Sequence, residues 1–102
     1  MEKENLYYFK LGVLNMSKHK INGEKWKVKF TTKGLSREHY GMTYYNDRDI
    51  LIEPNDNKWL QINTVIHETL HASCPQLNEL TIKNTADTIE EILRKHKKRL
   101  KI

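Results

Sequence analysis

The sequence predicts a small α+β domain, in which a three-stranded antiparallel sheet packs on one helix and a second helix follows at the C-terminal end. Two observations support this class. Apolar residues alternate with polar ones in short runs before residue 54, and they recur at helical spacing after residue 63. A chain of 102 residues encloses a single modest core, so we expect one domain over 1–102, with its core at 21–97.

The first predicted strand is the run WKVKF at 26–30, in which aromatic and β-branched residues alternate with lysines. Residues 21–24 contain Asn-Gly, a pair that readily takes positive φ, and are expected to form the turn before this strand. In residues 6–16 the apolar positions follow neither the helical nor the strand periodicity, so a short amphipathic helix and an edge strand both remain open. The role of residues 1–20 is undecided.

The second and third predicted strands cover 41–45 and 50–53. The residues between them, Asn-Asp-Arg-Asp at 46–49, have the length and composition of a hairpin turn, so the two strands should pair antiparallel. Pro54 cannot donate to a sheet ladder and is expected to end the third strand.

The first predicted helix begins near Asn63, whose side chain can cap a helix N-terminus, and ends at Pro75. Apolar and small residues surround this helix, so most of its sides should be buried. Asn78 is expected to cap a second helix, which carries an apolar stripe of helical period. The stripe consists of Ile82, Ala86, Ile89 and Leu93.

The composition restricts the class of protein. The formal net charge of +5 fits a soluble protein, and the basic C-terminal residues lack the frame of a nucleic-acid-binding motif, so nucleic-acid binding is not expected. Cys74 is the only cysteine, which excludes an intrachain disulfide and a zinc ribbon.

The start of the chain lacks the apolar run of a secretory signal, and no segment approaches the length of a membrane helix, about 20 apolar residues. We therefore expect a cytoplasmic protein without a membrane partner.

Residues 67–71 read His-Glu-Thr-Leu-His, which is the pattern H-E-x-x-H. Residues four apart lie on one face of a helix, so His67 and His71 can direct their rings at one metal ion. Glu68 is turned by about 100° around the helix axis, which places its carboxylate beside a water on that metal rather than on the metal itself. Zinc lowers the pKa of such a water to about 7, and a glutamate can accept its proton as general base.

An ordinary helix with two surface histidines is the alternative interpretation of this pattern. Its apolar surroundings argue against that alternative, because polar residues of a buried helix need partners. The pattern also follows a predicted hairpin. The sequence therefore favours a zinc site.

A catalytic zinc usually has three protein ligands, so a third ligand is expected after His71. Glu79 is the preferred candidate, because a chain that doubles back at Pro75 brings the start of the second helix near the end of the first. An acidic residue in the first turn of a helix is also favoured by the helix dipole alone. Asp87 is the alternative ligand, or a residue that orients a histidine ring, or a solvated residue of the helix face.

The H-E-x-x-H pattern, followed by Asn78-Glu79 and by Ile82 and Ala86, resembles the gluzincin metallopeptidases. It is most similar to small phage and bacterial members of the SprT-like and ImmA/IrrE-like types, over 26–93. The resemblance implies a zincin-like domain in which the two histidines and the glutamate at 79 bind zinc. The step from the motif to that glutamate is short for a gluzincin. The cysteine zinc ribbon of many SprT-type proteins is absent, so their role on DNA–protein crosslinks is not implied.

In zinc peptidases, a strand beside the site pairs with the extended substrate, which implies this role for Ile50, Leu51 and Ile52. The leading hypothesis is a zinc-dependent endopeptidase that acts on a protein or peptide substrate, with Glu68 as general base. A catalytically silent, zinc-stabilised binding or regulatory module is the alternative, and a basic nucleic-acid-binding protein with an accidental motif is a third hypothesis. Cleavage specificity and oligomeric state stay open at this stage.

Overall fold

The computed structural model describes residues 13–31, 35 and 39–102. Within them the chain forms four strands and three helices. The strands are β1 (Val13–Ile21), β2 (Glu24–Thr31), β3 (Gly41–Tyr44) and β4 (Asp49–Ile52). The helices are α1 (Lys58–Ser73), α2 (Glu79–Lys95) and α3 (Lys97–Leu100). The α+β class is confirmed.

The four strands form one mixed sheet in the order β1-β2-β4-β3. β1 pairs antiparallel with β2, β3 pairs antiparallel with β4, and β2 and β4 run parallel. The expected three-stranded antiparallel sheet is therefore wrong in strand number and in pairing. The physical reason is the apolar character of β4, in which Ile50, Leu51 and Ile52 are only 0, 8 and 0% exposed. A strand with so many apolar side chains is most stable inside the sheet. The sequence predicts the β3–β4 hairpin, but not which of its strands lies inside.

The additional strand β1 comes from the segment that the sequence left open. Residues 13–16 belong to this edge strand, whereas 6–12 lie outside the described residues. Asn22 and Gly23 have φ values of 50° and 80°, so the connection to β2 is the tight two-residue turn that the Asn-Gly pair predicts. The sheet thus extends further towards the N-terminus than the expected core.

Helix α1 begins earlier than the sequence predicted. The side chain of Asn57 caps it by accepting a hydrogen bond from the N–H of Leu60 at 3.1 Å. Asn63, the expected cap, lies inside the helix, and its amide donates to Asp87 at 2.9 Å. Both asparagines suit an N-cap by type, and the earlier one is used because the residues after it are half-buried and lengthen the packed helix. The predicted end is confirmed, since α1 stops at Ser73, shortly before the proline.

Helix α1 is the middle layer of the domain, with the sheet on one side and α2 on the other. The core between α1 and the sheet contains Trp26, Ile50, Ile52 and Ala72, with Ile21, Val28, Phe30 and Val65 packed around them. Two residues of the predicted stripe on α2, Ile82 and Ala86, are fully buried. Among the described helices, none combines the length and the apolar content that a bilayer span requires.

Candidate metal centre

His67 and His71 lie one turn apart on α1. The centroids of their imidazole rings are 5.0 Å apart, and the ring planes are tilted by 56°. Both side chains are mostly buried, with 18 and 20% of their surface exposed. The two rings therefore converge without stacking, which suits two nitrogen ligands of one ion.

Glu79 is the first residue of α2, and its carboxylate lies across both histidines. Its Oε1 is 2.6 Å from Nε2 of His67, and its Oε2 is 2.7 Å from Nε2 of His71. One ligand atom from each of the three residues lies within 4.8 Å of the others. Two imidazole nitrogens and one carboxylate oxygen are a donor set that transition metals accept. This group, which we call the ligand group, could hold a metal ion.

The short connection between the two helices explains how Glu79 reaches α1. The N–H of Cys74 donates to the carbonyl of Leu70 at 2.8 Å and closes α1. The N–H of Leu77 then donates to the carbonyl of Cys74 at 3.0 Å and turns the chain back. Asn78 caps α2 by accepting from the N–H of Thr81 at 2.8 Å, as the sequence predicted. Glu79, the residue after this cap, is thereby placed beside the last turns of α1.

Glu68 follows His67 on α1 but faces β3 rather than the carboxylate of Glu79. It is only 8% exposed, so its carboxylate needs hydrogen-bond donors within the protein. The hydroxyl of Thr43 on β3 lies 2.8 Å from Oε1 of Glu68 and 3.0 Å from the main-chain carbonyl oxygen of the same residue. Glu68 thus lies outside the ligand group but lines the same cleft, where a carboxylate could accept a proton from a water beside the metal.

A cleft of about 280 Å³ opens beside the ligand group, with walls from β3, α1 and the start of α2. A second depression of about 220 Å³ adjoins it. The two share five wall residues, which are His39, Gly41, His67, Glu68 and Glu79. Because these residues line both depressions, we treat the two as arms of one groove with the ligand group and Glu68 between them.

Tyr45, directly after β3, borders the larger arm of this groove. Its hydroxyl donates to the carbonyl of His71 at 3.0 Å, and its ring meets Trp26 edge to face with centroids 6.2 Å apart. Burial raises the pKa of Tyr45, and the nearby charges of Glu68 and Glu79 raise it further. Tyr45 therefore stays protonated and keeps its hydrogen bond to the last turn of the helix.

Sequence reasoning missed groove residues on β3 and just before it, among them His39, Gly41, Met42 and Thr43. His39 is exposed and lines both arms of the groove. No motif or periodicity marks these positions, because they reach the ligand group only through the position of β3 against α1. The nearest sequence signal is the predicted strand at 41–45, which precedes the H-E-x-x-H helix.

Asp87 is not part of the ligand group. Its carboxylate accepts from Lys83 and from Asn63, each at 2.9 Å, on the exposed side of α2. The hydrogen bond from Lys83 lowers the pKa of Asp87 most, the one from Asn63 adds to the effect, partial burial opposes it, and the charge of Lys83 lowers the pKa further. The hydrogen bonds described for Asp87 orient an asparagine of the groove wall rather than a histidine ring.

The expected role of Ile50, Leu51 and Ile52 in pairing with a substrate is contradicted by the strand order. β4 lies between β2 and β3 and pairs with both, so its two edges are already occupied. The side chains of these three residues are buried in the domain. The strand that borders the groove is β3, which stands at the end of the sheet.

The site thus offers three converging metal ligands, a buried carboxylate beside them and a groove in front. Such an arrangement could hold a metal ion, and the groove exposes the ligand group to small molecules from solvent. Comparison of the chain with protein-family models, with curated proteins and with solved structures finds no significant match.

Proposed function

We propose that this chain is a zinc-dependent metallopeptidase of minimal gluzincin type, in which His67, His71 and Glu79 bind zinc and Glu68 is the general base. The observation that supports the proposal most is the convergence of three ligand atoms within 4.8 Å, next to a buried carboxylate that lines the same groove. An ion pair of Glu79 with the two histidines would make the same contacts without a metal, and zinc content separates the two cases.

The donor set is the reason to propose zinc. Zinc accepts imidazole nitrogen and carboxylate oxygen together, and its catalytic sites usually have three protein ligands and one open position. When bound, zinc supplies a Lewis acid that polarises a carbonyl group and increases the acidity of water. Both arms of the groove reach the ligand group, so a substrate carbonyl and a water can enter it.

The residues of the chain would act on protons and on orientation. Glu68 accepts the proton of the attacking water and then delivers it to the leaving amine, as one carboxylate can do in both steps. Tyr45 holds the carbonyl of His71 and so supports the turn of α1 that carries this ligand. The substrate we propose is a protein or peptide in extended form, lying along β3, because this strand borders the groove.

One observation also supports a catalytically silent, zinc-stabilised module. Glu79 is the first residue of α2, whereas both histidines belong to α1, so a bound metal would join the two helices. In a chain with so modest a core, that junction would contribute to folding. The position of Glu68 favours the peptidase, because this carboxylate lies outside the ligand group and lines both arms of the groove.

Hydrolysis of a casein or a mixed fluorogenic peptide substrate by the zinc-loaded protein tests the proposal. Glu68→Gln should retain zinc and lose activity by about 10²-fold to 10⁴-fold, the contribution of a positioned general base. Glu91→Gln, a substitution at an exposed position on α2, is the matched control and should retain both zinc binding and activity. If the zinc-loaded wild type is inactive while zinc raises its thermal stability, the silent module is correct and the peptidase is not.

A further inference from the structure

We propose that Thr43 is the positioning residue of this site, holding the carboxylate of Glu68 in one orientation so that Oε2 faces the groove. This inference rests on the proposed function for its catalytic consequence. Its structural content, that one hydroxyl fixes one carboxylate, can be tested without any activity.

The first argument comes from the burial of Glu68. Glu68 is only 8% exposed as a whole residue, so it has lost most of its contact with water and its carboxylate needs donors within the protein. In the part of the chain that the structure describes, the hydroxyl of Thr43 is the donor to this carboxylate, at 2.8 Å from Oε1. The bond crosses from β3 to α1, so it depends on tertiary packing and not on the helix itself.

The second argument comes from counting protons. A threonine hydroxyl has one proton, and two acceptors of Glu68 lie within reach, Oε1 at 2.8 Å and the main-chain carbonyl oxygen at 3.0 Å. Oε1 is the closer of the two acceptors, so we assign the proton to the bond with Oε1, and the carbonyl oxygen lies beside that bond. With Oε1 held in this way, Oε2 is the oxygen left to meet a water in the groove.

The third argument is the close approach of β3 to the helix. Gly41 lies two residues before Thr43 on the strand, and a Cβ built on it would come within 2.8 Å of Cγ of Glu68. Residues two apart in a strand point to the same face, so Gly41 and Thr43 both face Glu68. Gly41 leaves room for the side chain of Glu68 close to the strand, and Thr43 fixes the carboxylate at the end of that side chain.

A glutamate without such a partner rotates about three side-chain bonds and spends only part of its time in the productive orientation. Catalysis is sensitive to this, because misplacement of a catalytic group by about 1 Å can cost as much as 10²-fold in rate. The hydroxyl of Thr43 is directed at Glu68, and a substrate lying along β3 would pair with the main chain of this strand rather than with that hydroxyl. Its removal should therefore lower kcat and leave both zinc binding and KM nearly unchanged.

The test compares zinc-loaded wild type, Thr43→Val and Thr43→Ser by crystal structure and by peptide hydrolysis. Valine keeps the shape of threonine without the hydroxyl, whereas serine keeps the hydroxyl. We expect Thr43→Val to lower kcat by about 10-fold or more with KM within about twofold, and Thr43→Ser to stay within about threefold of wild type. Thr31→Val removes a buried threonine hydroxyl of β2 outside the groove walls and should leave kcat unchanged.

The crystal structures decide the inference even without activity. In wild type and Thr43→Ser, the carboxylate of Glu68 should occupy one conformation with Oε1 against the hydroxyl. In Thr43→Val it should leave that position or occupy several. If Glu68 keeps its wild-type orientation in Thr43→Val, the inference is overturned, whatever the kinetics. If the carboxylate is released as expected but wild type does not hydrolyse peptides, the positioning role stands and the proposed function fails.

Discussion

Gly41 on β3 lies so close to Glu68 on α1 that a Cβ built on the glycine would be 2.8 Å from Cγ of the glutamate. The same Cβ would be 2.7 Å from Cγ2 of Thr64, one helical turn earlier. The strand therefore packs against the helix with no room for a side chain at this position. This contact brings β3, and with it the groove, up to the candidate general base.

Gly41→Ala should destabilise the protein by about 1–3 kcal/mol, the usual cost of overpacking, because two side chains of α1 would have to move. The same movement should displace Glu68 and lower peptide hydrolysis beyond the loss of folded protein. Urea unfolding and activity per folded molecule measure the two effects.

Gly23→Ala is the matched control for this substitution. Gly23 has a φ of 80° and no atom within 4 Å of the added Cβ, so alanine there should cost about 1 kcal/mol through backbone strain alone. Zinc binding and activity per folded molecule should be retained. A Gly41→Ala protein as stable and as active as wild type would show that the close approach has no consequence.

Asp87→Asn should leave zinc binding unchanged, because the hydrogen bonds of Asp87 go to Lys83 and Asn63 rather than to the ligand group. Its effect should appear as a small loss of stability that depends on pH. The pKa of Asp87 is lowered in the folded protein, so the ionised carboxylate stabilises the fold above the unfolded pKa, about 3.9, and this contribution is lost as the pH falls through the folded value.

Urea unfolding of wild type and Asp87→Asn at pH 7 and at pH 2 measures this dependence. We expect a difference of less than about 1 kcal/mol at pH 7, because the pair is exposed, and a smaller difference at pH 2. Zinc content measured on the same samples decides the ligand question. Loss of zinc from Asp87→Asn would make Asp87 a ligand and contradict the assignment of Glu79.

Arg48 should be replaceable by glycine with no loss of stability. It ends the β3–β4 turn at a φ of 53°, and its carbonyl accepts from the N–H of Lys27 at 3.0 Å, so the backbone is held in this conformation. Glycine adopts such a φ without strain, whereas other residues pay about 1 kcal/mol. The ion pair of Arg48 with Glu24 is exposed and contributes about 0–1 kcal/mol.

Arg48→Ala separates the effect of the backbone strain from that of the ion pair, since it removes the ion pair and keeps the strain. We expect Arg48→Gly to be more stable than Arg48→Ala by about 1 kcal/mol in urea unfolding. Equal stability of the two variants would show that the turn relaxes to another backbone conformation.

The parts of the site that the sequence predicted are the local ones. The positions of His67 and His71 on one face follow from helical spacing alone, and the structure has them one turn apart on α1. Glu79 was predicted less directly, from an asparagine cap after a proline, and the structure brings it to both rings. Each of these inferences needed only a few neighbouring residues.

The parts that the sequence did not predict depend on tertiary structure. Alternation identifies a strand but does not order strands in a sheet, so the sequence does not show that β4 is a buried inner strand with both edges paired. Gly41 and Thr43 acquire their roles only once β3 is the strand beside α1. The early start of α1 at Lys58 had a local signal in Asn57, but a second asparagine further along was an equally good cap by residue type.

Zinc content of the purified protein tests the central claim most directly. It should be measured by elemental analysis on wild type, on Glu79→Ala and on the control Glu91→Ala, an exposed glutamate of the same helix, after preparation with zinc and without chelators. We predict about one zinc per chain in wild type and in the control, and a loss of affinity of at least about 10²-fold in Glu79→Ala. Equal zinc in all three proteins would reject Glu79 as a ligand. Absence of zinc from wild type would show that the three converging side chains form a salt-bridged pair of helices and not a metal site.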